Sequence, residues 1–133
     1  MDEQELQQKY FELQMLEQQL KALQNQIFKM DEQLVEIRLA IENVEELKAT
    51  QKGKEILVPL TQGIFIKSEL KDNEKLIVNV GANITVEKTI EETKDLLKKQ
   101  HVEISKYKEE LESTMQNLED EFTKLASQIE KQD

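Results

Sequence analysis

The stretch GKEILVPLTQGIFIK, Gly53 to Lys67, decides how this chain is read. On both sides of it the sequence is charged and helical in its spacing. Here stand the only proline, Pro59, and two of the three glycines; the third, Gly81, lies a little further on. All the chain-turning residues are thus confined to residues 53–81, in a block rich in Ile, Val, Leu and Phe. Within this block the apolar period is two. Ile56, Val58 and Leu60 alternate, as do Ile64 and Ile66, then Leu76, Val78 and Val80, then Ile84 and Val86. Such alternation gives a strand one apolar face. Thr61-Gln62-Gly63, Lys71-Asp72-Asn73 and Gly81-Ala82-Asn83 part the runs with turn-forming residues. Four strands are expected, 55–61, 64–70, 75–80 and 84–88, paired as two β-hairpins. Pro59 has no amide hydrogen to give a ladder, so it belongs at an edge or a bulge.

Outward from the block the period changes to seven. With Leu6 as heptad position a, the a and d sites run Leu6, Lys9, Leu13, Leu16, Leu20, Leu23, Ile27, Met30, Leu34, Ile37, Ile41 and Val44. All but Lys9 are apolar, in unbroken steps of three and four, which is the pattern of a coiled-coil seam. A helix of a globular bundle would show a wider apolar stripe. Asp2 with Glu5 can cap its start, and Gly53 lies just beyond its end. After the block, Thr89 and Glu92 form a capping-box pattern. The same spacing then gives Ile90, Lys94, Leu97, His101, Ile104, Lys108, Leu111, Met115, Leu118, Phe122, Leu125 and Ile129, with the polar sites in the first half. Helices over 2–50 and 90–131 would each reach roughly 60–75 Å. Their similar lengths suggest an antiparallel hairpin with both chain termini at one end. The expected fold is therefore mostly α, a long antiparallel coiled-coil hairpin with two central β-hairpins (55–88), in a single domain over 1–133.

Short hairpins are marginal in water, and one slender coiled coil cannot cover their apolar faces. Copies of the same block on neighbouring subunits are the simplest cover. Ile56, Val58, Leu60, Ile64, Ile66, Leu76, Val78, Val80, Ile84 and Val86 are accordingly the expected oligomerisation platform.

Composition narrows the function. The chain is 35% charged with net charge −10, too polar to fill a spherical core and too regular for disorder. Residues 1–50 carry 11 acidic and 5 basic side chains, residues 90–133 carry 12 and 7, and residues 51–89 carry 5 and 6. Acidic arms flank a neutral middle, and acidic arms repel phosphate backbones, so nucleic acid is not an expected partner. The longest apolar run, Ile56 to Leu60, is far short of a membrane helix, and MDEQELQQKY has no apolar core for a secretory signal. With no cysteine, disulfides and thiolate metal sites are excluded. A soluble, cytoplasmic protein is the expectation.

Catalysis finds little support. The one histidine, His101, sits on an a position, and Ser68, Ser105, Ser113 and Ser127 lack a nucleophile-elbow setting. QKGKE lacks the spacing of a phosphate-binding loop. Carboxylate runs such as Glu119-Asp120-Glu121 point in different directions on a helix and read as solvated face. No enzyme activity, no cofactor and no metal site is expected.

What remains are apolar residues off the seam: Phe11 at f, Met15 at c, Phe28 and Val35 at b, and Tyr10 beside the seam at e. Two readings are open for them. One is contact with a neighbouring subunit's helix or incidental exposure. The other is a surface for apolar partners, a role that large, adaptable side chains suit.

Leu57-Val58-Pro59-Leu60, Val80-Gly81 and Val86-Glu87-Lys88-Thr89, set within helix, two hairpins and helix, resemble the alpha class of prefoldin. The overall plan covers the whole chain and the specific motifs its middle third; beta-class subunits have a single hairpin. The resemblance implies a hexameric co-chaperone of two alpha and four beta subunits whose hairpins form β-barrels. It implies holding of unfolded protein clients without nucleotide and transfer to a group II chaperonin. Client capture at the distal ends of the coiled coil would fall on Leu6, Tyr10, Phe11, Leu13, Met15, Phe122, Leu125 and Ile129, matched by location. A structural coiled-coil scaffold, or a filament-forming adaptor with the same fold, is the alternative; suppression of aggregation of unrelated proteins separates a holdase from both.

Overall fold

Heptad spacing on either side of a period-two block produces two helices and four strands, and the computed structural model describes them over residues 2–131. They run α1 (Glu3–Lys48), β1 (Glu55–Thr61), β2 (Ile64–Glu69), β3 (Lys75–Gly81), β4 (Ile84–Thr89) and α2 (Ile90–Glu130). Contacts divide the chain into two units, residues 1–34 with 102–133, and residues 35–101.

The first unit is a pair of antiparallel helix segments. Lys9 Nζ donates to Gln128 Oε1 at 2.8 Å, and Lys108 pairs with Asp31. Moving twenty-two residues forward along α1, from 9 to 31, thus moves the partner twenty residues back along α2, from 128 to 108. In the second unit Glu45 pairs with Lys94 and Lys48 with Glu91, three forward against three back. Every expected a and d position on both helices is half-buried or buried, including Lys9, Lys94, His101 and Lys108. The seam is as narrow as the heptad pattern requires. Leu34 at 9% exposure and Ile129 at 8% are the seam residues furthest from water outside the hairpin junction.

Helix ends follow local chemistry. Asp2 Oδ1 accepts from Glu5 N at 2.8 Å and starts α1. The helix stops two residues before the expected 50. Ala49 N and Thr50 N donate to Glu46 O and Leu47 O, three residues back, which tightens the last turn and ends the four-residue ladder. Gly53 does not cap this helix. Its φ of 84° turns the chain so that its N–H donates to Leu70 O at 2.7 Å, closing the base of the first hairpin. At α2 the capping box forms both ways, Glu92 N to Thr89 Oγ1 and Thr89 N to Glu92 Oε1, each 3.1 Å. Thr89 is also the last residue of β4, so strand passes into helix with no loop between.

The two hairpins repeat each other at an interval of twenty residues. β1 pairs antiparallel with β2 and β3 with β4, each as its own two-stranded sheet. Val58 faces Ile66 and Val78 faces Val86; the register slips between Pro59 and Thr61 and again between Asn79 and Gly81. Pro59 therefore sits beside a bulge, where a missing donor does least harm. Each hairpin ends on a buried apolar residue, Leu70 and Ile90, whose N–H groups donate to Lys54 O and Glu74 O. The tight turns differ: Ala82 and Asn83 both take positive φ, whereas in the first turn only Gly63 does. Between the hairpins Asp72 Oδ1 accepts from Glu74 N and Lys75 N, and these N–H groups hold its carboxyl below the usual range. Asn73 Nδ2 ties this link to Thr50 O at 2.8 Å.

Candidate functional site

Two kinds of surface are offered, one in each unit. In the hairpin unit, the cross-strand register puts Ile56, Val58, Leu60, Ile64 and Ile66 on one face of the first hairpin. Leu76, Val78, Val80, Ile84 and Val86 share one face of the second. Ile56, Leu76 and Val78 are half-buried; the other seven are exposed, Leu60 at 62% and Ile84 at 59%. A side chain of this size left in water forgoes about 1.5–3 kcal/mol of burial, so these faces are sticky surfaces awaiting cover.

The opposite face carries residues that the alternation pattern misses. Leu57 and Phe65 on the first hairpin, and Ile77 at 76% exposure on the second, are all turned to water. Leu57 lies across from Lys67, Phe65 across from Pro59 and Ile77 across from Glu87. A signal for them exists in the sequence. Ile56-Leu57-Val58, Ile64-Phe65-Ile66 and Leu76-Ile77-Val78 are apolar without a gap, which marks strands apolar on both faces. The first hairpin is thus greasy on two sides, the second mainly on one.

In the helical unit the residues expected to grip clients fall into two groups. Tyr10, Phe11 and Met15 are exposed, at 50%, 61% and 43%. Leu6, Leu13, Phe122 and Leu125 are half-buried in the seam, and Ile129 is buried there. Phe11 and Met15, four apart on α1, make one local patch off the seam. Phe28 in this unit is exposed at 63%; Tyr107 and Val102 on α2, which the sequence pattern did not single out, are exposed as well. Their positions, g for Tyr107 and b for Val102, are visible in the heptad frame once one looks for apolar residues outside it.

Polar side chains also pair between the two helices. Lys94 and Lys108 occupy seam positions, and their ammonium groups are held in the charged form by the hydrogen bonds they donate to Glu45 and Asp31 respectively. Glu45 is lowered in turn by Lys94, and Glu91 by Lys48. Among the described residues no three His, Asp or Glu side chains gather as a metal would require. Nor is any helix long and apolar enough to cross a membrane. What the arrangement can do is bind other polypeptides through apolar faces.

Comparison with known proteins agrees with that plan. The family model for Prefoldin subunit matches residues 16–132. The chain is similar to Prefoldin subunit alpha of Methanococcus vannielii, 34% identical over 127 residues, covering 96% of this chain and 85% of that one. To Prefoldin subunit alpha of Thermofilum pendens it is 34% identical over 94 residues, covering 71% and 73%. Among solved structures it resembles the filamentous PFD of Methanocaldococcus jannaschii, with a TM-score of 0.78 at 22% identity over 86% of this chain and 95% of that chain.

Proposed function

The chain belongs to the prefoldin family, in its alpha class, and from that premise we propose that it is a holdase subunit working without ATP. The family is one of non-enzymatic chaperone co-factors. In this reading the chain-terminal parts of α1 and α2 bind non-native proteins and pass them to a group II chaperonin in the cytoplasm. The hairpin faces bury against hairpins of beta-class subunits, in a hexamer of two alpha and four beta chains. The observation that carries the reading is the set Tyr10, Phe11 and Met15, large side chains left in water on a helix whose seam is already filled. Folding gains nothing from them there, whereas a transient partner does. The hairpin faces support assembly by the same reasoning, since an isolated two-stranded hairpin is marginal.

A second reading has one observation in its favour. The first hairpin is apolar on both faces, through Val58 and Ile66 on one side and Leu57 and Phe65 on the other. Two sticky faces suit an open-ended assembly, and the structural relative named above is a filament.

The test has two parts. Native mass spectrometry of the chain alone and with co-purified partners gives the assembly; a two-plus-four hexamer is expected, and an open series of masses favours the filament. Unrelated denatured proteins are then diluted into buffer with the assembled protein and no nucleotide. Suppressed aggregation, followed by refolding once a group II chaperonin and ATP are added, is the expected result. Aggregation at the unassisted rate for every client sinks the holdase reading.

A further inference from the structure

Charge is divided between the two units very unevenly. Residues 1–34 and 102–133 hold sixteen acidic and seven basic side chains, a net of −9, while residues 35–101 hold twelve and eleven, a net of −1. Almost all of the chain's −10 therefore belongs to the unit that bears Tyr10, Phe11 and Met15. The cations of that unit are partly engaged already: Lys9 donates to Gln128, Lys21 pairs with Glu17, and Lys108 with Asp31 and Glu112.

The carboxylates beside the exposed apolar side chains are not. Glu12 lies three residues before Met15, and Glu32 four after Phe28. Glu103 and Glu110 lie four before and three after Tyr107. These spacings put each carboxylate on the same helix face as its apolar neighbour. None of the four makes an ion pair among the described residues. Each patch thus joins a large apolar side chain to an uncommitted negative charge.

We propose that this surface selects a particular kind of non-native segment, one in which lysine or arginine stands next to aromatic or large aliphatic residues. The inference rests on the holdase reading and narrows its clients. The apolar side chains of the segment pack on Phe11, Met15, Phe28 and Tyr107, while its cations meet the neighbouring carboxylates. A guanidinium or ammonium also gains by lying over the face of an aromatic ring. An acidic segment of equal hydrophobicity meets like charge and is turned away. Screening limits the effect to close range, since the Debye length at physiological salt is about 8 Å.

The experiment compares two versions of one unfolded polypeptide, identical in apolar residues, with lysine and arginine in one replaced by glutamate in the other. Association with the full-length, assembled protein is followed by stopped flow at low and high salt, and protection from aggregation is measured alongside. The basic version is expected to bind at least ~10-fold faster at low salt, the lower end of electrostatic steering, with the gap closing at high salt. The variant E12Q/E32Q/E103Q/E110Q alters no seam position; it is expected to lose the preference and still protect a neutral client. Equal binding of both versions overturns the proposal and leaves the holdase reading standing. A preference undiminished in the variant overturns the assignment to these carboxylates. If neither version is protected, the holdase reading fails and the proposal with it.

Discussion

The helical unit and the hairpin unit solve opposite problems with similar residues. In residues 3–34 and 102–130 the seam residues recur every three or four positions, and most of the apolar side chains are taken up in that seam between two helices. In the strands the apolar side chains recur every two, and most stay in water: Val58, Leu60, Ile64, Ile66, Val80, Ile84 and, on the other face, Leu57, Phe65 and Ile77. A helix pair can satisfy its own stripe, but a two-stranded hairpin cannot cover its own face. Charge follows the same division, −9 against −1. A surface that must meet other subunits does better without net charge, and one that must stay open is kept from collapsing on its copies by repulsion.

The largest effect should come from attacking the hairpin side of this contrast. Val58, Ile66 and Val78 lie on the expected platform faces. Replacing all three with Asp forces unpaired carboxylates into whatever covers those faces, at a cost of several kcal/mol. Monomers or loss of recoverable protein are expected by native mass spectrometry. A variant that kept the wild-type oligomer mass would show that these faces are not where subunits meet.

Adjacent residues on α1 sharpen the contrast within one helix. Leu34 is 9% exposed in the seam, while Val35 beside it is 49% exposed. Leu34→Ala removes buried methyl groups and should cost about 2–5 kcal/mol, seen as a lower Tm by circular dichroism. Val35→Ala should change stability by no more than about 0.5 kcal/mol. Similar losses for both would mean that the outer face of α1 is packed in the assembled protein.

How far the sequence could be read differs between the units for the same reason. The seam was legible to the residue, Lys9, Lys94, His101 and Lys108 included, because the heptad is local arithmetic and does not depend on what else is present. Even its polar members make sense in register. Arg38 lies one heptad before Glu45 on α1, so a one-heptad slip would bring Lys94 from its carboxylate partner to a guanidinium. Strand positions were also legible, within one residue of the bounds observed. The second apolar face of the hairpins was not, although Leu57, Phe65 and Ile77 stand in plain view. Alternation asks only whether one face is apolar; whether the other is used depends on neighbours outside the chain. Gly53 misled for a different reason. A glycine after a helix suggests a cap, and only the hydrogen bond to Leu70 shows that it serves the hairpin instead.

A smaller effect is expected where strand meets helix. Thr89→Ala removes the side-chain half of the capping box and should cost about 1 kcal/mol, read as a modest fall in Tm. Its pH dependence gives the sign. Hydrogen bonds from Thr89, the backbone N–H first, hold the Glu92 carboxyl below its usual pKa. A group lowered on folding stabilises the native state above its unfolded pKa of about 4.5 and loses that contribution as pH falls through the lowered folded value. In Glu92→Gln the stability lost between neutral pH and that acidic window should therefore be smaller than in the parent. An identical acid profile would mean that Glu92 is not engaged in solution.

The smallest effect on stability should accompany a clear effect on activity, at Phe11 and Met15. Both side chains are exposed and neither is an a or d residue, so the seam does not need them. Changing both to Ser replaces water-facing apolar surface with polar surface and should leave helicity, Tm and oligomer mass close to the parent. If they grip clients, each loses contact worth roughly 1–3 kcal/mol, softened because an unfolded chain can bind in many poses. The double variant should therefore hold back aggregation less well at equal concentration, for several unrelated clients. Val35→Ala serves as the control, since Val35 is also exposed but lies in the hairpin unit, and it should protect as the parent does. Undiminished protection by the Ser variant, in protein shown to be assembled, would return Phe11 and Met15 to incidental exposure. The contrast between the units would then rest on the hairpins alone. A fall in oligomer mass would instead place these side chains in a contact between subunits, the other reading that their positions off the seam leave open.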